Sequence, residues 1–251
     1  MILTIDIGNT RTKIAHFENN SLKNLIAFAN ENFIENFLKY FPQIEKTTQT
    51  VLSSVGRLSE QERNWLAVNT TLLIITHQNE LPFRNNYETP HTLGIDRIVL
   101  AAGAVLAFPK QNRLVIDVGT CITYDFIDND DNYLGGAISP GFGLRYKSLN
   151  DYTANLPLLQ LEEIDYLVGT NTNKSIHSGV INGIITEIDG IINKYKELHP
   201  DLTIILSGGD TLFLAKRLKN IIFANSNFLL ESLNALYQYI IENDKKNSSR
   251  L

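Results

Sequence analysis

"LTIDIGNTRTKI" at residues 3–14 and "LVIDVGTCITYD" at residues 114–125 are nearly one phrase written twice, 111 positions apart. Leu3, Ile5, Asp6, Gly8 and Thr12 align with Leu114, Ile116, Asp117, Gly119 and Thr123. Each copy is an apolar, β-branched run, which reads as a buried strand. Each ends in Asp-x-Gly, continues into small hydroxyl or amide residues, and then meets a polar turn, HFENNS in the first and FIDNDDN in the second. A matched Asp-x-Gly at a strand end in both halves predicts two related half-molecules.

Outward from the first copy, Asn19-Asn20-Ser21 suits a hairpin. Phe33, Ile34, Phe37, Leu38 and Phe41 stand at helical spacing ahead of Pro42, which ends that helix. QTVLSSV reads as a strand entering a turn at Gly56, and SEQERNWLAVN as a helix capped by Ser59 with Glu62 closing a capping box. TLLIIT is a further strand. NELPFRNNYETPHTLG is then too long and unpatterned for a routine connection, and such loops often carry function. A helix, IDRIVLAAGAVLAF, follows and stops at Pro109.

Outward from the second copy, Gly135-Gly136 and SPGFG read as a turn-rich crossing. GLRYKSLNDYTANL and NKSIHSGVINGIITEIDGIINKYKEL read as helices, and LTIILSGGD as a strand ending in Gly208-Gly209. TLFLAKRLK and NFLLESLNALYQYIIEN supply the last helices, and the polar DKKNSSRL is expected to fray. Strands alternating with helices in both halves predict an α/β protein of two domains, cut at 1–112 and 113–251, with a ligand cleft between them.

The 251 residues, 43% hydrophobic and 20% charged, suit a folded chain with ample core. A net charge of −5 argues against a nonspecific binder of nucleic acid or anionic membrane. One cysteine, Cys121, excludes an intramolecular disulfide framework and a Cys-based zinc site. The N-terminus lacks the pattern of a signal peptide, and no run of about 18 apolar residues suggests a membrane span. A soluble, cytoplasmic protein is expected. The five histidines are scattered without metal-ligand spacing and receive no catalytic role.

The chemistry of the repeated phrase follows from its residue types. Gly lets the backbone approach a ligand, and successive N–H groups there can face phosphate oxygens. Asn9, Thr10 and Thr12 offer short donors, and Lys13 a point charge. Asp6 and Asp117 repel phosphate and are suited to a cation that neutralises it.

Here the motifs resemble a known group. DIGNTRTK and DVGTCIT resemble the phosphate loops of the actin, Hsp70 and sugar-kinase superfamily. HTLGIDR, GGAISPG, GTNTNKSIHSG and LSGGD, in this order, resemble type III pantothenate kinase over nearly the whole chain. The resemblance implies two tandem RNase H-like (actin-like) domains, each a mixed β-sheet with packed helices, around a nucleotide cleft. It implies ATP-dependent phosphorylation of pantothenate to 4'-phosphopantothenate, the first step towards coenzyme A.

By the same resemblance, Asp6, Ile7, Gly8, Asn9, Thr10, Arg11, Thr12 and Lys13 form an ATP phosphate loop, and Thr120 is a further ATP contact. Asp117 matches the ligand of an activating monovalent cation, K+ or NH4+; Mg2+ follows from the chemistry of ATP, with Asp6 serving it through its own oxygens or bound water. Gly94, Ile95, Asp96 and Arg97 match the substrate turn, with Asp96 as catalytic base; Tyr87 and Thr172 match pantothenate contacts. The family is dimeric, with a pocket that borrows from the second subunit. Cys121 stands where the family usually has Ala, which fits by size and raises oxidative sensitivity.

Several readings stay open on the residues alone. Arg97 suits the substrate carboxylate, a phosphate or a structural ion pair. Gly208-Gly209 suits close packing of adenosine or a plain strand-to-helix turn, and SPGFG a lid hinge or, preferably, a tight crossing near a dimer contact. Rival functions are another small-molecule kinase or phosphatase of the superfamily, a non-enzymatic transcriptional accessory factor, or a polymerising actin-like ATPase.

Overall fold

The computed structural model describes residues 1–8, 11–54 and 58–248. Strands β1 (Ile2–Ile7), β2 (Arg11–Glu18) and β3 (Ser21–Ala29) form an antiparallel meander, β1 pairing with β2 and β2 with β3. The expected β2–β3 hairpin is present: Asn19 and Asn20 turn it at φ 49° and 61°, a conformation Asn tolerates better than most side chains. Next come α1 (Phe33–Tyr40), β4 (Gln49–Ser54), α2 (Glu60–Asn69) and β5 (Thr71–Ile74), with β4 and β5 parallel to β1. The capping box on α2 forms as expected. The Ser59 N–H donates to Glu62 Oε2 at 2.9 Å and the Glu62 N–H to Ser59 Oγ at 3.2 Å. The turn expected at Gly56 lies outside the described residues.

The sheet order is β3-β2-β1-β4-β5. Alternation along β1 sends Leu3, Ile5 and Ile7 into a core with Phe33 and Phe37 of α1 and Leu66 of α2. Thr4 and Asp6 therefore point to the other face. The long segment after β5 is ordered by a two-residue strand, β6 (Arg84–Asn85), and a 3-10 turn at Pro90–Thr92, and it leads into α3 (Ile95–Ala107).

The second half repeats this plan with β7 (Asn112–Val118), β8 (Cys121–Ile127), β9 (Asn132–Pro140), α4 (Phe142–Asp151), α5 (Thr172–Leu198), β10 (Leu202–Ser207), α6 (Thr211–Ala215) and β11 (Phe223–Ala224). The strand order is β11-β10-β7-β8-β9-β6; its first five strands match the first sheet in reverse, with β6 added at the edge, β7–β8 antiparallel and β7–β10–β11 parallel. Leu114, Ile116 and Val118 join Ile181, Ile184 and Ile188 of α5 in one core. Two mixed sheets of one topology answer the repeated phrase: it is the first strand and turn of each.

The chain packs as two units. One comprises Met1–Pro109, Asp131–Tyr133 and Asn227–Leu251; the other comprises Lys110–Asp130 and Leu134–Ser226. A single cut after residue 112 assigns the last helix, α7 (Phe228–Ser248), to the second half, whereas it packs in the first unit. The reason lies in Gly103 of α3, where a Cβ would stand 1.8 Å from Ser232 Oγ, so only glycine lets the two helices meet so closely. Leu230 of α7 also buries against Ala15 and Phe17. Tyr237 donates to Gln49 Oε1 at 2.9 Å.

Three local expectations are corrected. Gly135 and Gly136 lie inside β9 and form no turn; a Cβ on Gly136 would stand 1.6 Å from the Tyr124 carbonyl oxygen of β8. Helix α4 stops at Asp151, short of Leu156, because the chain folds back: Asn150 Nδ2 donates to the Leu156 carbonyl at 2.7 Å. Helix α7 runs through Ser248 where fraying was expected, with Lys245 and Lys246 in its last turn, the end that favours cations. Among the described residues no helix is long and apolar enough to cross a membrane.

Candidate active site

In the first unit, β1 delivers Asp6, 7% exposed, to the sheet face opposite α1 and α2. Register sets Asp6 beside Lys13 of β2 and Ser53 of β4, so the three side chains share that face. The turn beyond Asp6 is closed by the Gly8 N–H donating to the Arg11 carbonyl at 3.1 Å. Arg11 is exposed, Lys13 half-buried and Ile7 buried. Thr12 is fully buried, and its hydroxyl donates to Asn30 Oδ1 at 3.0 Å. Its side chain thus holds the turn rather than facing outward. Asn9 and Thr10 lie outside the described residues.

Asp96 sits in the first turn of α3, where an acidic side chain suits the helix dipole. Gly94 caps the helix because a Cβ there would come within 2.4 Å of Asp96 Oδ1. That oxygen accepts the Arg97 N–H at 2.9 Å. Burial pushes the Asp96 carboxyl above the ordinary carboxylate range; the Arg97 N–H and guanidinium counter it only in part. Arg97 is buried, and its guanidinium lies over the Tyr87 ring, 5.7 Å from the centroid. The Tyr87 ring in turn lies 6.1 Å from Tyr133. The ordered long loop therefore carries Tyr87 to Arg97, next to Gly94, Ile95 and Asp96. Its ends are anchored by buried Phe83 and Leu93, the latter's carbonyl 2.7 Å from His77 Nε2.

In the second unit, Asp117 lies in register with Thr123 of β8 and Ser207 of β10, on the face opposite the core of α5. The first turn pairs Asp6 with Lys13, the second Asp117 with Thr123, so the second turn is one residue shorter. The uniform offset of 111 consequently breaks inside the turn, and Thr123 corresponds to Lys13 rather than to Thr12. The Gly119 N–H donates to the Cys121 carbonyl at 2.9 Å, and Thr120 is exposed at the tip.

Two glycines press on this turn. A Cβ on Gly141, the residue before α4, would stand 2.2 Å from the Gly119 carbonyl oxygen. Gly208 has φ +100°, and a Cβ there would stand 2.3 Å from the Val118 carbonyl oxygen. SPGFG is thus a strand-to-helix junction seated on the turn. Arg145 of α4 fixes it by donating to the Pro140 carbonyl at 2.9 Å and Ser139 Oγ at 3.0 Å, and it pairs with Glu187 of α5. Burial alone would raise Glu187, but hydrogen bonds from Arg145, Ser139 and Tyr124 leave it below its ordinary value.

The donor set at Asp117 fits a hard cation. Besides the carboxylate, the buried hydroxyl oxygens of Thr123 and Ser207 have no hydrogen-bond partner among the described residues. Thr172 opens α5 and is exposed, lining a 660 Å³ cavity beside Lys174 and His177. His177 is buried, with Nδ1 2.8 Å from the Tyr146 hydroxyl and Nε2 3.2 Å from Glu162 Oε1. Asn30 and Arg145 support the turns and escape a reading of the sequence; only their distant contacts identify them.

A model of the type III pantothenate kinase family matches residues 2–194. The type III pantothenate kinase of Flavobacterium johnsoniae is 55% identical over 97% of this chain and 100% of its own length. That of Flavobacterium psychrophilum is 54% identical over 95% and 99%. Among solved structures, a protein described as a Baf family transcriptional activator from Campylobacter jejuni matches with a TM-score of 0.58 at 21% identity, over 94% of this chain and 98% of its own. One described as a 2-dehydro-3-deoxygalactonokinase from Sinorhizobium meliloti gives 0.57 at 11%, over 96% and 99%. These last two are likenesses of fold. With the two-sheet duplication, the intact Asp-x-Gly turns and relatives matched end to end, the chain belongs to the type III pantothenate kinase family.

Proposed function

We propose that this chain transfers the γ-phosphoryl group of ATP to the primary hydroxyl of pantothenate, giving 4'-phosphopantothenate and ADP, the first step of coenzyme A synthesis. Family membership supports the reaction class. The observation that carries the mechanism is Asp96, a partly desolvated carboxylate at a helix start beside Arg97 and Tyr87.

In this reading the pantothenate oxygen attacks the γ-phosphorus as the bond to the β–γ bridging oxygen breaks, and the hydroxyl proton passes to Asp96. A base whose affinity for protons is raised accepts that proton more readily than an ordinary carboxylate. Arg97, held by Tyr87, offers its charge to the carboxylate of pantothenate, and Tyr87 and Thr172 contact the rest of the acceptor. The turn from Asp6 to Lys13, with Thr120 of the second turn, receives the ATP phosphates. Asp117, with Thr123 and Ser207, would hold the monovalent cation, K+ or NH4+, and Asp6 would serve Mg2+ directly or through water. These cations supply charge neutralisation to the phosphates. The working form is a cytoplasmic homodimer whose substrate pocket lies near the subunit interface.

The test is an acceptor panel. Purified protein with ATP and Mg2+ is offered pantothenate, common sugars and water, first in potassium and then in sodium. Phosphorylation confined to pantothenate and stimulated by potassium is expected. Transfer to a sugar, or ATP hydrolysis without an acceptor, would assign the chain to another activity. Bound ATP with no transfer would favour a regulator.

A further inference from the structure

The first turn has a guard that neither the repeated motif nor family membership assigns. Asn30 follows the last residue of β3, where Ala29 pairs with Arg11. Its carboxamide reaches both limbs of the turn. Nδ2 donates to the Gly8 carbonyl at 2.9 Å, and Oδ1 accepts the Thr12 hydroxyl at 3.0 Å. Gly8 and Thr12 belong to the turn assigned to the phosphates and stand on either side of residues 9–11. We infer that Asn30 is a positioning residue for the nucleotide, fixing the aperture of the phosphate turn without touching the reacting atoms.

The chemistry explains why the residue is an amide. One rigid planar group must donate to a carbonyl and accept from a hydroxyl at once, and Asn does both at this reach. Asp would set a carboxylate oxygen against the Gly8 carbonyl, acceptor to acceptor. Leu or Ala would leave both partners unanswered. In the second unit the corresponding turn is one residue shorter and is braced by glycines pressed on its backbone, so no such side chain is needed there. Two hydrogen bonds from an edge residue tie Gly8 to Thr12, and a preset spacing of these two residues spares the nucleotide the cost of ordering them.

The inference rests on the kinase reading for its kinetic arm and on nucleotide binding alone for its second arm. Asn30→Ala and Asn30→Asp are expected to raise KM for ATP about tenfold, the loss of one to two ordinary hydrogen bonds. KM for pantothenate should stay within about twofold, since the acceptor site is built on other elements. Thr12→Val, which removes the hydroxyl that donates to Asn30, should reproduce most of the Asn30→Ala defect. The double variant Asn30→Ala/Thr12→Val should be no worse than Asn30→Ala, as two ends of one contact require.

Calorimetric titration with ATP and Mg2+ gives the second arm, with thermal unfolding recorded for every variant. If wild type binds ATP but does not phosphorylate pantothenate, the kinase reading falls, and a tenfold weaker ATP affinity in Asn30→Ala still supports the clamp. A purely structural Asn30 would lower the melting temperature and leave ATP affinity unchanged, which overturns the inference. Equal losses for ATP and pantothenate overturn it too, as would wild type that fails to bind ATP.

Discussion

In the first Asp-x-Gly turn the Gly8 N–H reaches the carbonyl three residues on, and a side chain from the sheet edge, Asn30, ties its two limbs together. In the second, the Gly119 N–H reaches the carbonyl two residues on, and the backbone at Gly141 and Gly208 is pressed directly against it. The register partner of the aspartate differs accordingly, being Lys13 in the first and Thr123 in the second. A cationic side chain opposite one aspartate suits phosphate and a hydroxyl opposite the other suits a cation, while the parallel neighbour is a buried serine in both, Ser53 and Ser207. Duplication thus supplied two copies of one strand-turn unit. A single-residue change in turn length, with different bracing, separates their chemistry.

The strongest way to break this comparison is at the second turn's braces. Gly208→Ala adds a Cβ 2.3 Å from a carbonyl oxygen at a positive φ, so a loss of about 2–4 kcal/mol is expected in denaturant unfolding. An unchanged unfolding midpoint would mean that the turn is not braced there. Next is the pair Thr123→Val and Ser207→Ala. As buried hydroxyls without partners they contribute little to folding, so stability should hold or rise slightly. Half-saturation by potassium should nevertheless shift upward about tenfold, roughly the 1.4 kcal/mol of one lost ligand contact. Potassium dependence that stays put would dissociate these hydroxyls from the cation.

A smaller effect is expected from Glu187→Gln, which weakens the Arg145 anchor of the Ser139–Gly141 junction. The pair is partly exposed, so a cost of only about 1 kcal/mol is expected. Its sign with pH is fixed. The native carboxyl titrates below its ordinary value, so its stabilisation is present above the ordinary carboxylate pKa and is lost as pH falls through the native one. The difference between wild type and Glu187→Gln should therefore shrink towards acid; a constant difference would contradict the network.

Much of this architecture is legible in the residues themselves. Strand periodicity, the Ser59 capping box, the Asn19-Asn20 hairpin and the repeated turn are local signals, and each reflects physics within a few residues. What stays hidden depends on distant neighbours. Gly136 reads as a turn residue until Tyr124 is found against it, and Gly103 draws no notice until Ser232 is found against it. The return of α7 to the first unit is of this kind, as are the clamp at Asn30 and the one-residue slip between the turns. At the site, the HTLGIDR motif singles out Asp96 and Arg97, while only the resemblance to the family points to Tyr87. Only the structure supplies the reason for Gly94, whose missing side chain leaves room for the carboxylate.

The measurement that bears most directly on the account is single-turnover phosphoryl transfer from ATP to pantothenate by wild type and Asp96→Asn, followed across pH. Wild type should lose rate towards acid with an apparent pKa above the ordinary carboxylate range, because the base must be ionised and burial raises its affinity for protons. Asp96→Asn should bind ATP as wild type does, lose about 10²–10⁴-fold in rate, and show no such acid limb. The same variant should be at least as stable as wild type at neutral pH. The raised pKa makes the ionised carboxylate a cost that is fully present above the native pKa and absent below the unfolded one. Transfer that survives in Asp96→Asn with its acid limb intact would contradict the assignment of the base and, with it, the central reading of this site.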